Sequence, residues 1–160
     1  MKNILITGGA GFIGSNLAHV LVQKGLNVTI VDNFHSDYGA NEFNLEEIRS
    51  QIRLIKGDIL DQTLMRELAG QVDTIFHIAA QCSHVDSMIN PFFDLDYNCR
   101  GTLTVLEGAR LSSQKPVVVY AGTRAMIGQP HEIPAKETTL PNPVDVYGVN
   151  KLAAELYGAV

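Results

Sequence analysis

The chain has 160 residues, room for one domain with a real core and not for two. Its 46% hydrophobic and 18% charged content is that of a soluble globular α/β-like protein, and excludes a disordered one. A net charge of −5 with no basic run excludes nucleic acid and an anionic membrane surface as partners.

In chain order, Ile4-Leu5-Ile6 is a short apolar strand, Thr7-Gly8-Gly9-Ala10-Gly11 a turn, and a helix-period pattern then runs to Lys24. Gly8, Gly11 and Gly14 fall three apart where a strand must reverse and feed a helix. One glycine permits the tight turn, a second lets a pyrophosphate approach the main chain, and the third allows close packing of helix on strand. The helix N-terminus then points N–H groups at an anion, so the stretch reads as a phosphate site. A membrane span or signal peptide fits badly, because four glycines with Thr7, Ser15, Asn16, His19 and Gln23 interrupt the apolar run.

A second strand, Asn27–Val31, ends at Asp32; Phe34–Asn44 reads as a loop and Leu45–Gln51 as a weak helix. The third strand is Ile52–Lys56, followed by Gly57-Asp58, and Asp61 caps a helix through Leu64, Met65 and Leu68. Val72–Ile78 is a fourth strand. Asn90 then Pro91 opens a long amphipathic helix to about Leu111, in which Phe92, Leu95, Cys99, Leu103 and Leu106 recur as an apolar stripe and Phe92, Leu95 and Cys99 read as core. Pro116–Ala121 is a fifth strand, a proline-rich loop follows, and a last helix begins near Val146. Continuous apolar strands alternating with helices predict a doubly wound parallel α/β sheet in the order 3-2-1-4-5, with ligands at the carboxyl ends of the strands.

Asp32 at the end of strand two can accept both hydroxyls of an adenosine ribose and repels a 2′-phosphate, which favours NAD over NADP. Asp58 can receive the adenine amino group or simply hold a turn. Ala79-Ala80-Gln81 offers small residues beside which a cofactor backbone can run. Tyr147 and Lys151 lie four apart, on one helix face. Lowering a phenol from about 10 to near neutrality takes about 4 kcal/mol, within reach of an ammonium plus a positive nicotinamide ring. Thr123, just past strand five, can bond the same substrate oxygen. The five histidines form no metal set, and Cys82 and Cys99 lack CxxC spacing, which reads as reduced thiols in a cytoplasmic protein.

With Thr7–Gly14, Asp32, Gly57-Asp58, His77–Ala80, Asn98 with Gly101-Thr102, and Tyr147–Lys151 in this order, the chain resembles the extended short-chain dehydrogenase/reductase family, most closely its NAD-dependent nucleotide-sugar epimerases and dehydratases. The resemblance implies a Rossmann domain over 1–160, with NAD held by Gly8, Gly11, Phe12, Ile13, Gly14, Asp32, Asn33, Asp58, Ile59, Ala79, Ala80, Gln81, Tyr147 and Lys151. It also implies a centre in which Thr123 orients a sugar hydroxyl and Tyr147 takes its proton. Lys151 lowers the phenol's pKa and holds the nicotinamide ribose, and Asn98 supports a water beside the lysine. Ala121-Gly122 and Ile127 depart from the family's usual serines and tyrosine. Family members continue into a lobe that binds the nucleotide-sugar, so the chain is expected to be truncated before that lobe and poorly active alone. Two further readings stand beside this one. The first is a non-catalytic dinucleotide-binding or dimerisation module, pairing through helices 92–111 and 146–158; the second is an NADP reductase for a small carbonyl.

Overall fold

The computed structural model describes residues 2–160. Five strands, β1 (Asn3–Thr7), β2 (Asn27–Asp32), β3 (Ile52–Lys56), β4 (Thr74–His77) and β5 (Val117–Tyr120), form one sheet in the order β3-β2-β1-β4-β5. Every neighbouring pair is parallel, which is the predicted topology. In this register Thr7 lies opposite Val31 and His77, Asp32 opposite Lys56, and His77 opposite Tyr120. The carboxyl ends therefore finish level, along one rim. Ile4, Ile6, Val28 and Ile30 bury one face of the sheet against Ala18 and Leu21 of helix α1 (Phe12–Gln23). Each fully buried Ile or Leu contributes about 1.5–3 kcal/mol.

The chain divides into two compact units. The first comprises residues up to Ala80 together with Thr104–Ala121, and so holds the whole sheet; the second comprises Gln81–Leu103 with Gly122–Val160. In the first, helix α2 (Gln62–Ala69) starts at the predicted cap, where Asp61 Oδ1 accepts from the Leu64 N–H at 3.0 Å. The segment before β3 differs from expectation. Ser36–Tyr38 is a 3-10 turn, and Glu42–Gln51 is a 3-10 run in place of a loop followed by a weak α-helix. Only Leu45 and Ile48 are buried there, and residues three apart stack on one face of a 3-10 helix.

The second unit holds helices α3 (His84–Ile89) and α4 (Pro91–Asp94), a π-helical stretch Leu95–Gly101, and helix α6 (Val146–Tyr157); helix α5 (Thr102–Leu111) continues from the π-helical stretch. Asn90 caps α4 with Pro91 in its first turn, as the sequence predicts. Helix α3 escapes the periodicity reading because it buries only Ser87. Its sole sequence signal is a capping spacing, Ser83 to Asp86, and Ser83 Oγ does accept from the Asp86 N–H.

The core reading of the long helix's apolar stripe holds at Cys99 and is corrected at Phe92 and Leu95. Of its five members only Cys99 is buried; Phe92 is 77% exposed, and Leu95 and Leu103 are also exposed. The buried face carries Asp94, Asn98, Cys99 and Thr102 instead. Helical spacing identifies a face but not the side it turns to, and here the inward side is polar as far as Thr102, with the apolar Val105 and Ala109 buried beyond it.

Candidate active site

In the sheet-bearing unit, the turn after β1 is built by two glycines that admit no side chain. Gly8 sits at φ +70°, and a Cβ there would lie 2.7 Å from the Ala79 backbone. A Cβ on Gly14 would lie 2.3 Å from the Gly8 carbonyl oxygen. Gly11, by contrast, faces nothing closer than the Gly8 carbonyl at 3.5 Å. It is also the N-cap of α1, so no side chain caps that helix and the first-turn N–H groups of Phe12, Ile13 and Gly14 have no side-chain acceptor. Phe12 and Ile13 are exposed beside them. An uncapped helix start, opened by a glycine, at the carboxyl rim of a parallel sheet fits a diphosphate.

Asp32 is 7% exposed, not a solvated turn residue. Its Oδ2 accepts from the Ala10 N–H and its Oδ1 from the Phe34 N–H, both at 2.9 Å. It thereby ties the glycine turn to the end of β2, and each oxygen keeps a lone pair for a ligand. Asn33 Nδ2 donates to Asp58 Oδ2 at 3.0 Å, while Asp58 Oδ1 accepts from the Leu60 N–H, so Asp58 is in part a turn residue. Ile59 is buried, and the Ala79 N–H donates to Thr7 Oγ1. Ala80 closes this set of residues in the chain.

The second unit gathers the other predicted residues. Asp145 caps α6, its Oδ1 accepting from the Gly148 N–H at 2.7 Å. This places Tyr147 in the first turn and Lys151 one turn later, both buried. Thr123 Oγ1 accepts from the Ala125 N–H, which leaves its hydroxyl proton for the hydrogen bond it shares with the Tyr147 phenol. Gln81 folds onto Ser83, donating through Nε2 to the Ser83 carbonyl and accepting from its N–H. Asn98 Nδ2 donates to the Gln81 carbonyl at 3.0 Å, and Asn98 Oδ1 is buried without a hydrogen-bond partner.

His84 is exposed and yet hydrogen-bonded. Its ring bonds Asp145 through Nδ1 and stands edge-on to Tyr147 with centroids 4.9 Å apart. Burial pushes the Asp145 carboxyl up, but the Gly148 N–H and His84 outweigh it and hold the group below the usual carboxylate range. Nothing in sequence spacing ties residue 84 to residue 145.

The electrostatics of the tyrosine run against the expectation from the pair alone. Burial pushes the phenol up; the Thr123 hydrogen bond pulls it down; Cys82, Asp94 and Asp145 push it up again, and the net direction is upward. Burial lowers Lys151 from 10.5 to about 8, with Asp94 first among the groups that oppose the fall, ahead of Cys82 and Glu155. A lysine depressed on folding carries a stability cost that is full below the folded pKa, where both states hold the proton. Between about pH 8 and 10.5 the unfolded chain binds a proton the folded chain has released, so stability rises with pH. Urea unfolding across this window is expected to show a gain of up to about 3 kcal/mol that Lys151→Met lacks. A parent and variant of equal pH slope would refute that assignment.

Fold and site together define a class: a parallel α/β dinucleotide-binding protein with a buried Tyr-Lys pair. The profile of the NAD dependent epimerase/dehydratase family matches residues 4–159, and the chain belongs to that family of enzymes, whose cofactor is NAD. It is 36% identical over 154 residues to a UDP-glucose 4-epimerase of Mycolicibacterium smegmatis, which covers 96% of this chain and 49% of that protein. It is 41% identical over 128 residues to a UDP-N-acetyl-alpha-D-glucosaminuronate decarboxylase of Bacillus cytotoxicus, covering 80% of this chain and 38% of that one. Among solved structures, the UDP-glucose 4-epimerase of Brucella ovis in complex with NAD superposes with a TM-score of 0.86 at 30% identity, over 99% of this chain and 47% of that one. The chain thus spans about half the length of the relatives it matches. Among the described residues no helix is long and apolar enough to cross a membrane.

Proposed function

We propose that the chain is the NAD-binding portion of a nucleotide-sugar epimerase or dehydratase, a single domain over residues 1–160, in which Thr123, Tyr147 and Lys151 carry out the oxidation of a sugar hydroxyl. The observation that supports this most is the α6 arrangement: a buried phenol hydrogen-bonded to Thr123, with a buried ammonium one turn away.

NAD, when bound, supplies the hydride acceptor. In this reading the N–H groups of Phe12, Ile13 and Gly14 hold its diphosphate, and Asp32 accepts from the adenosine ribose, with Asn33, Asp58 and Ile59 beside the adenine and Ala79, Ala80 and Gln81 farther along. Thr123 orients the sugar hydroxyl and Tyr147, as phenolate, takes its proton while the C–H hydride leaves. Lys151 stabilises the phenolate and Asn98 steadies the lysine. The keto-sugar then undergoes epimerisation, dehydration or decarboxylation. The 160-residue chain by itself is expected to bind the dinucleotide and to sustain little turnover of a nucleotide-sugar.

Separate titrations of the purified chain with NAD and NADP test the cofactor half of this reading. Expected is at least about tenfold tighter binding of NAD, because Asp32 repels a 2′-phosphate. Equal or tighter binding of NADP refutes it and favours the reductase. A homodimer through helices 92–111 and 146–158 is the second element of the proposal, supported by the exposure of Phe92, Leu95, Leu103, Val149 and Leu156. A cytoplasmic setting is consistent with the two free thiols.

A further inference from the structure

Asp94 has no place in the chemistry above, yet it is 0% exposed. Its Oδ1 accepts from Asn150 Nδ2 at 2.7 Å, and its Oδ2 is buried without a hydrogen-bond partner. One turn along the same helix, Asn98 Oδ1 is likewise buried without one. Asn150 is adjacent in the chain to Lys151, which is 3% exposed. Removing a carboxylate from water costs several kcal/mol, and an apolar side chain would fill the position at less cost. A carboxylate kept at that cost calls for a compensating charge, and Lys151, the residue after its hydrogen-bond partner in the chain, is a buried cation whose charged form Asp94 favours.

We propose that Asp94 is a positioning residue of the Thr123–Tyr147–Lys151 centre: its carboxylate, fixed by Asn150, is the counter-charge that keeps the Lys151 side chain an ammonium. This rests on the functional reading of that centre, but the charge relation can be measured without turnover. The groups acting on the pair are few. Cys82 and Glu155 join Asp94 in favouring the Lys151 ammonium, and Asp145 works against ionisation of Asp94. Asn150 and Asn98 favour the Asp94 carboxylate, as does Lys151 itself, while burial opposes it most strongly. Each buried charge offsets part of the other's desolvation, so removing the acid takes away the largest of the charges that favour the ammonium.

The test is the NMR titration of the Lys151 side chain in the full chain and in Asp94→Asn, which keeps the shape and removes the charge. Expected is a fall of about one unit or more in the Lys151 pKa, from about 8 toward neutrality. Thr102→Val, which deletes a buried hydrogen bond to the Asn98 carbonyl without changing charge, should leave the titration where it was. An unshifted lysine in Asp94→Asn overturns the proposal. Should Asp94→Asn fail to fold, the Asp94 carboxyl carbon is followed in the unmodified chain. An ionised Asp94 at neutral pH whose signal responds to the Lys151 titration supports the proposal, and a protonated Asp94 overturns it. Failure of the functional reading would show instead as an unimpaired Tyr147→Phe enzyme, which neither titration reports.

Discussion

Gly14→Ala is expected to cost the chain about 3 kcal/mol of stability, close to 10 °C in melting temperature, and to abolish measurable NAD binding. The new methyl would stand 2.3 Å from the Gly8 oxygen and 2.7 Å from the Gly9 Cα, and both neighbours are backbone. No side-chain rotation relieves that overlap, so α1 must back away from the turn it packs on. The matched variant is Gly11→Ala. Its methyl meets only the Gly8 oxygen, at the ordinary distance of 3.5 Å, so the fold should hold to within about 0.5 kcal/mol. If the diphosphate lies over that residue, NAD affinity nonetheless falls by about tenfold or more, or about 1.4 kcal/mol. Calorimetry and a binding isotherm on both variants separate the two roles. Gly11→Ala binding NAD as tightly as the parent would mean that the anion lies elsewhere.

Tyr147→Phe should lower hydride transfer by about 10²- to 10⁴-fold with the fold intact. The variant loses one hydrogen bond to Thr123, worth about 1 kcal/mol, and also removes a hydroxyl whose burial is unfavourable. Stability should therefore move little in either direction. The measurement is single-turnover reduction of NAD by a nucleotide-sugar, with the chain joined to the remaining half of a relative such as the Mycolicibacterium smegmatis enzyme. Because the protein's own groups hold the phenol above its ordinary value, the parent's rate should climb with pH through the neutral range. Loss of the reaction supports the enzyme. A Tyr147→Phe rate within threefold of the parent would leave the non-catalytic module as the better account.

The sheet and its rim were legible because they rest on local rules. Continuous apolar strands cannot be solvated, parallel pairing requires crossovers, and Gly8 and Gly14 occupy positions where backbone excludes a side chain. The place of Asp32 at the end of β2 was legible, but its bonds to Ala10 and Phe34 were not, since both partners are backbone N–H groups that any sequence supplies. The direction of the Tyr147 shift could not be read from Tyr-x-x-x-Lys. It is set by burial and by Cys82, Asp94 and Asp145, two of which come from segments far along the chain. The long helix misled for a related reason. Phe92 and Leu95 look like core because apolar faces usually are, whereas Asp94 and Asn98 take the inside.

The π-helical stretch has a consequence for anyone trimming or grafting that helix. A wide turn holds more residues than the α-helical pitch allows, and each residue of an α-helix advances about 100° around the axis. Excising a single position between Leu95 and Gly101 would exchange the wide turn for ordinary winding and leave Asp94 close to its inward bearing, whereas the same excision from the α-helix that follows would turn everything beyond it by about 100°. The segment therefore behaves like a slack link, taking up a residue that an ordinary helix would convert into rotation.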